Sequence, residues 1–181
     1  MKPQEIIYEN SADRDYDIYS ASQKLVSLLS INHLKLSTAE SCTGGLIGGA
    51  ITMVSGASEV FEEGYITYAN SAKEKLLGVT PQTLKEYGAV STQTAYEMAK
   101  GVSKASGSDL GISVTGIAGP GGGTPEKPVG LVYIGISLSG SVTVYECHFS
   151  GNRDCVRNAT VYTALKKATE KLEDMLEKQK Q

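Results

Sequence analysis

Histidine is almost missing from this chain: His33 and His148 are the only two in 181 residues. Neither falls in an H-E-x-x-H pair or any other paired ligand spacing, so a catalytic metal is not expected. The three cysteines are an odd number and contain no C-x-x-C, which argues for a reducing, cytoplasmic compartment rather than a disulfide framework. No apolar run reaches the roughly 18 residues a membrane helix needs. The polar, acidic N-terminus does not read as a secretory signal. Positive charge is not in excess either: the net charge is −3 and the pI about 5.5, so nothing in the overall field argues for nucleic acid. The familiar catalytic patterns fail in turn. There is no G-x-S-x-G elbow and no S-x-x-K. The run from Gly116 to Gly121 has Walker spacing, but Gly follows where Lys and Ser/Thr should stand.

What the chain has instead is glycine: 20 residues, bunched around 44–49 and 116–123. Such clusters mark unusual dihedrals or close approach of backbone to another group. Between them, helical and strand patterns alternate. Residues 20–32 carry a helical apolar stripe, LKLSTAE reads as a strand ending at Glu40, and TGGLIGGAITMV as a small-residue helix capped by Ser41 or Thr43. YITYAN reads as a strand after a loop. SAKEKLLG follows as a short helix capped by Asn70 or Ser71. TPQTLKEYG is a cap–Pro–helix–Gly unit, and Ser91 or Thr92 caps the next helix. DLGISVTG is a strand, followed by the loop IAGPGGGTPEKP. Two strands joined by Ser-Gly form a hairpin. A last helix runs from Asp154 to about Lys178 with Val161, Leu165, Ala168, Leu172, Met175 and Leu176 on one face.

This order predicts an α/β fold: a single domain, with a mixed β-sheet flanked by helices on both faces in three α/β/α layers. Residues 1–19 read as a frayed or loosely docked N-terminal extension, and 20–178 as the domain. Ligands in such folds sit beyond the carboxyl ends of strands. Three segments fall there: Glu40–Gly45, Tyr68–Lys73 and Gly116–Thr124.

Ser41 and Cys42 stand side by side in the first segment, and either could be a nucleophile. Cys42 reads first as a small buried hydrophobe and second as a thiolate. Glu40 could orient a base, bind substrate or merely end its strand. With imidazole scarce, a lysine could deprotonate the serine, and Lys73 is the candidate. Its charged form would need destabilising by about 4 kcal/mol to bring its pKa near 7 to 8. Read from the residues alone, Lys73 is a solvated surface lysine first and a base second. The glycine loop reads as a flexible surface loop or, given its length and prolines, as a binding loop whose backbone N–H groups could hold an anion.

Five blocks resemble, in order, the CinA C-terminal domain family: TAESCTGGLIGGAIT, GYITYANSAKEKLLGV, YGAVSTQTAYEMAKG, SVTGIAGPGGGTPEKPVGLVYIG and GNRDCVRNAT, across about residues 20–175. The family's characterised activity is nicotinamide-nucleotide amidase. The resemblance implies hydrolysis of nicotinamide mononucleotide to nicotinic acid mononucleotide and ammonia, in pyridine nucleotide recycling, without metal or organic cofactor. It implies Ser41 as nucleophile, Lys73 as base and Tyr68 beside that base. Thr115, Gly116, Gly119, Gly121 and Gly122 match the substrate-binding segment, with Arg153 or Arg157 at the phosphate. Glu40, Cys42, Thr43, Gly44, Gly45 and Asn70 complete the expected binding set, with backbone N–H groups from Cys42 to Gly45 facing the oxyanion. Many members have GDR where this chain has GNR, which touches the surroundings of Arg153. The short N-terminal segment matches the stand-alone form rather than the fusion with a molybdopterin-binding-type domain. The family's habits also suggest a homo-oligomer, without membrane or nucleic-acid partners. The rival reading is a non-catalytic nucleotide-binding or competence-linked interaction module that has kept the fold.

Overall fold

A computed structural model describes residues 1–12 and 14–179. The elements in order are β1 (Glu5–Glu9), α1 (Ile18–Ile31), β2 (Leu36–Glu40), α2 (Leu46–Thr52), a 3-10 turn (Ala57–Glu59), β3 (Phe61–Ile66), α3 (Asn70–Leu77), α4 (Pro81–Tyr87), α5 (Thr92–Ser106), β4 (Leu110–Gly116), β5 (Leu131–Leu138), β6 (Ser141–Phe149) and α6 (Arg153–Gln179). The strands make one mixed sheet in the order β1-β6-β5-β4-β2-β3. β2 runs parallel to β3 and β4, β5 is antiparallel to β4 and β6, and β1 is parallel to β6.

Helices α1, α2 and α6 pack together against one face, and α3 and α4 gather around α5 on the other, giving the three expected layers. Each face has its own apolar core. Leu25, Leu29, Ile47, Ile51, Ile112 and Leu165 belong to the larger; Ala39, Leu77, Val79, Met98 and Val102 form the smaller. The alternation of β2 divides these roles: Ala39 enters the smaller core, while its neighbour Glu40 turns toward α2. The β5–β6 hairpin closes through Ser139 and Gly140 with φ of 49° and 81°, the paired positive angles that a type I′ turn requires. The predicted stripe of α6 is buried at Val161, Leu165, Ala168 and Leu172, with Met175 and Leu176 packing at its edge.

Several local expectations are corrected. The N-terminal extension is not loose over residues 5–9, which pair with β6 from Glu5↔Tyr145 to Glu9↔Phe149. Lys167 Nζ holds Glu5 to α6 at 2.9 Å. Composition averaged over the segment hid the β-prone Ile6, Ile7 and Tyr8, and the open edge of β6 offers them backbone partners. Asp13, within that extension, lies outside the described residues. β3 begins at Phe61 and ends at Ile66, so Tyr68 and Asn70 lie past the strand. Neither Asn70 nor Ser71 caps α3, whose N-cap position is Ala69. α2 begins at Leu46, and neither Ser41 nor Thr43 caps it.

Helical glycines separate into two kinds. A Cβ on Gly101 of α5 would stand 2.0 Å from the Leu77 carbonyl oxygen, because α5 crosses the end of α3 there in backbone contact. A Cβ on exposed Gly49 of α2 would meet nothing within 4 Å. Gly101→Ala is therefore expected to lower stability by about 1–3 kcal/mol despite its better helix propensity, and Gly49→Ala to raise it by about 0.5–1 kcal/mol. Urea midpoints of the two variants check both signs.

Candidate active site

Ser41 is the first residue beyond β2, and its amide donates to the Val114 carbonyl at 3.0 Å, continuing the ladder with β4. On the other side, Thr67 N–H donates to the Glu40 carbonyl at 2.8 Å. These two bonds carry the sheet one residue past its strands and seat Ser41 beside Thr67. From α3, Lys73 reaches back into this seat. It is 1 % exposed, its Nζ lies 3.1 Å from Ser41 Oγ, and it donates to the Thr67 carbonyl at 2.7 Å. Among the described residues no carboxylate pairs with it. Burial pushes its pKa below the ordinary lysine range, opposed by the neighbouring Cys42 thiol. A neutral amine suits the place: one N–H serves the Thr67 carbonyl, and the lone pair is free to accept the Ser41 hydroxyl proton.

Cys42 is buried, and desolvation pushes its thiol up to about 12. A thiol held there stays protonated at neutral pH, so the better intrinsic nucleophile is the poorer one in this setting. Neither histidine lines this cleft. His33 is exposed just past α1, and His148 pairs with Glu146 on β6 under a stacked Tyr8.

Glu40 does not line the cleft, in contrast to the expectation that it binds substrate. It is 1 % exposed, and both of its oxygens are engaged by its own chain. Oε2 accepts from the Thr43 hydroxyl at 2.7 Å and from Gly45 and Ile47 N–H at 3.0 Å, while Oε1 accepts from Gly48 N–H at 2.8 Å. This carboxylate caps α2, filling the place expected of Ser41 or Thr43, and a negative charge at a helix N-terminus is well matched. Thr43, Gly44 and Gly45 belong to the same turn and stay out of the cleft wall. Gly44 N–H returns to the Ser41 carbonyl and Gly45 N–H goes to Glu40, so neither amide is free for an oxyanion. The amides of Cys42 and Thr43 donate to no group among the described residues. Asn70 is exposed and outside the wall.

The cleft holds about 280 Å³. Ser41, Cys42 and Lys73 form its floor, and Tyr68, 64 % exposed, stands at its edge. No hydrogen bond joins Tyr68 to Ser41 or Lys73, and it stands in the cleft wall beside them. Thr115 and Gly116, at the end of β4, line it together with Gly119, Gly121 and Gly122 of the loop that follows. Thr115 Oγ1 donates to the Ala89 carbonyl at 2.7 Å. Arg153, first residue of α6, lines the cleft, and its Nη1 donates to the Gly119 carbonyl at 2.8 Å. Arg157 is turned to the Thr43 carbonyl at 2.8 Å, so of the two arginines it is Arg153 that faces the cleft. Asn152 Oδ1 accepts from Asp154 and Cys155 N–H at 3.0 Å each. The GNR variant thereby keeps a full N-cap beneath Arg153.

No Asp, Glu or His stands in the wall, which leaves Arg153 as a charge for an anion and offers a cation no hard ligand. Among the described residues, no three His, Cys, Asp or Glu side chains gather as a metal site. Sequence reasoning missed Ala89 and Val90, which line the opposite wall but carry no chemical signature, and Ile117 and Ala118, hidden between the loop's glycines.

The CinA C-terminal domain family model matches residues 18–172. A competence-damage inducible protein of Clostridium novyi is 57 % identical over 141 residues, which is 78 % of this chain and 34 % of that protein. A CinA-like protein of Kosmotoga olearia is 52 % identical over 146 residues, 81 % of this chain and 35 % of its own. This chain thus spans about a third of the length of these curated relatives. Among solved structures, the competence/damage inducible protein CihA of Agrobacterium tumefaciens superposes with a TM-score of 0.82 at 45 % identity, covering 84 % of this chain and 94 % of that one. A CinA superfamily protein of Klebsiella pneumoniae gives 0.84 at 29 % identity, covering 87 % and 99 %. Among the described residues no helix is long and apolar enough to cross a membrane. A family match across most of the chain, with relatives above half identity over four-fifths of it, means that this chain belongs to the CinA C-terminal domain family.

Proposed function

We propose that this domain is a Ser-Lys amidase that hydrolyses the carboxamide of nicotinamide mononucleotide to nicotinic acid mononucleotide and ammonia. The observation that carries this reading is the buried Lys73 Nζ, 3.1 Å from Ser41 Oγ and free of any carboxylate among the described residues. Lys73 takes the serine proton as the oxygen attacks the amide carbon. The free amide of Cys42, the one residue of that turn beside Ser41 in the cleft lining, serves the tetrahedral oxyanion, a term worth about 10²–10³ in rate. Lys73 returns the proton to the departing nitrogen, which leaves as ammonia. Water, deprotonated by the same amine, then opens the Ser41 ester.

The rest of the cleft fits the rest of this substrate. Arg153 and the glycine loop suit a phosphate, and Tyr68 offers an aromatic face to a cationic pyridinium ring. The names of the relatives link them to competence, and a second reading is a competence-linked module without catalysis. Ammonia release from the mononucleotide decides between them. Wild type and Cys42→Ala are expected to be active, with or without chelator, and Ser41→Ala inactive but still able to bind. A silent wild type that binds the nucleotide supports the module; activity in Ser41→Ala with loss in Cys42→Ala transfers the attack to the thiol.

A further inference from the structure

The two walls of the cleft come from separate loops. One is the glycine-rich segment between β4 and β5, which contributes Gly119, Gly121 and Gly122. The other is the short connection between α4 and α5, which contributes Ala89 and Val90. The glycine segment is closed at its base, where Ile117 N–H donates to the Leu131 carbonyl and Gly130 N–H to the Ile117 carbonyl. Above that base, the side chain of Lys127 crosses to the opposite wall. Its Nζ donates to the carbonyls of Tyr87 at 2.6 Å and of Val90, itself a lining residue, at 2.8 Å.

The approach is prepared on both sides. Thr124 and Lys127 form a reciprocal turn: Lys127 N–H donates to Thr124 Oγ1 at 3.0 Å, and Thr124 N–H to the Lys127 carbonyl at 2.8 Å. Pro125 and Pro128 stiffen the same stretch. Opposite, a Cβ on Gly88, whose φ is +78°, would stand 3.2 Å from Lys127 Nζ, so the absent side chain makes room for the ammonium. Among the described residues Lys127 pairs with no carboxylate, and its charge strengthens the two bonds to carbonyl oxygens.

We propose that Lys127 is a positioning residue, a strap that joins the glycine loop to the α4–α5 turn and holds the cleft at binding width. A loop with glycine at 119, 121, 122 and 123 has much backbone freedom to lose. If it is ordered before substrate arrives, that cost does not fall on binding; released, it populates open forms and the apparent affinity falls in proportion to the competent fraction. Lys127 stands outside the cleft lining, so the strap acts on substrate capture and not on the bond-breaking step.

The kinetic part rests on the amidase reading; the structural part does not. In Lys127→Met, KM for nicotinamide mononucleotide is expected to rise about tenfold with kcat held within about twofold, as a competent fraction near one-tenth would give. Hydrogen exchange is expected to quicken in peptides covering 117–124 and 87–90 and to stay unchanged across β1 and β6. An unchanged KM, a fall in kcat alone, or exchange that is unaltered or faster everywhere would overturn the strap. If wild type releases no ammonia, the amidase reading has failed, and the exchange pattern alone decides the role of Lys127.

Discussion

Lys73→Met is expected to reduce ammonia release by about 10³-fold or more while making the folded chain more stable at neutral pH. The two effects share one cause. Burial lowers the pKa of Lys73, so between that lowered value and the ordinary lysine value the folded chain binds fewer protons than the unfolded one. Wild-type stability therefore rises with pH through that window, and the penalty is complete below it. Methionine has a similar shape and no proton to lose, so its advantage is greatest in acid and fades as pH approaches about 10.4. On the proposed mechanism the wild-type rate is expected to run in the same direction, climbing through the lowered value, because only a neutral amine can accept the Ser41 proton. Lys73→Arg stays cationic at every pH and is expected to be inactive without the gain in stability. A pH–rate profile, with urea midpoints at about pH 6 and about pH 10, measures both limbs. Near-normal turnover in Lys73→Met ends its assignment as the base.

Glu40→Gln is expected to cost about 2 kcal/mol of stability and about 10² in turnover, although the residue never reaches the cleft. Four donors converge on the carboxylate within 3.0 Å: the Thr43 hydroxyl and the amides of Gly45, Ile47 and Gly48. A carboxamide replaces one acceptor oxygen by an NH₂ group, which then faces N–H donors inside the fold. The α2 terminus loses its cap, and the turn from Ser41 to Gly44 loses the anchor that holds Ser41 against Lys73. A misplacement of about 1 Å in a reacting group is enough for a loss of this size. Urea denaturation and turnover measured together check the claim. If Glu40→Gln keeps full activity and stability, the capping role is overestimated.

The resemblance of five sequence blocks named the family, and their positions at strand ends brought the right segments to one place: Ser41, Lys73, Thr115 and Arg153 meet in one cleft. Local patterns sufficed for the Thr80 cap, for narrowing the α5 cap to Ser91 or Thr92, for the Ser139–Gly140 turn and for the buried stripe of α6, because each depends on neighbours three or four residues away. Local patterns could not show which of these groups packing would bury or turn away from the cleft. A solvated lysine and a buried one look alike in a sequence; the difference at Lys73 is made by α3 folding over the ends of β2 and β3. Glu40 reads as a substrate ligand until α2 turns its N-terminus onto it, and Arg153 and Arg157 are equivalent on paper until the first points into the cleft and the second to the Thr43 carbonyl. The chain alone thus determined which reactive groups were available and how each short element would form. Tertiary packing determined which of them lost their water, and with it their ordinary pKa, because desolvation is set by residues distant in sequence.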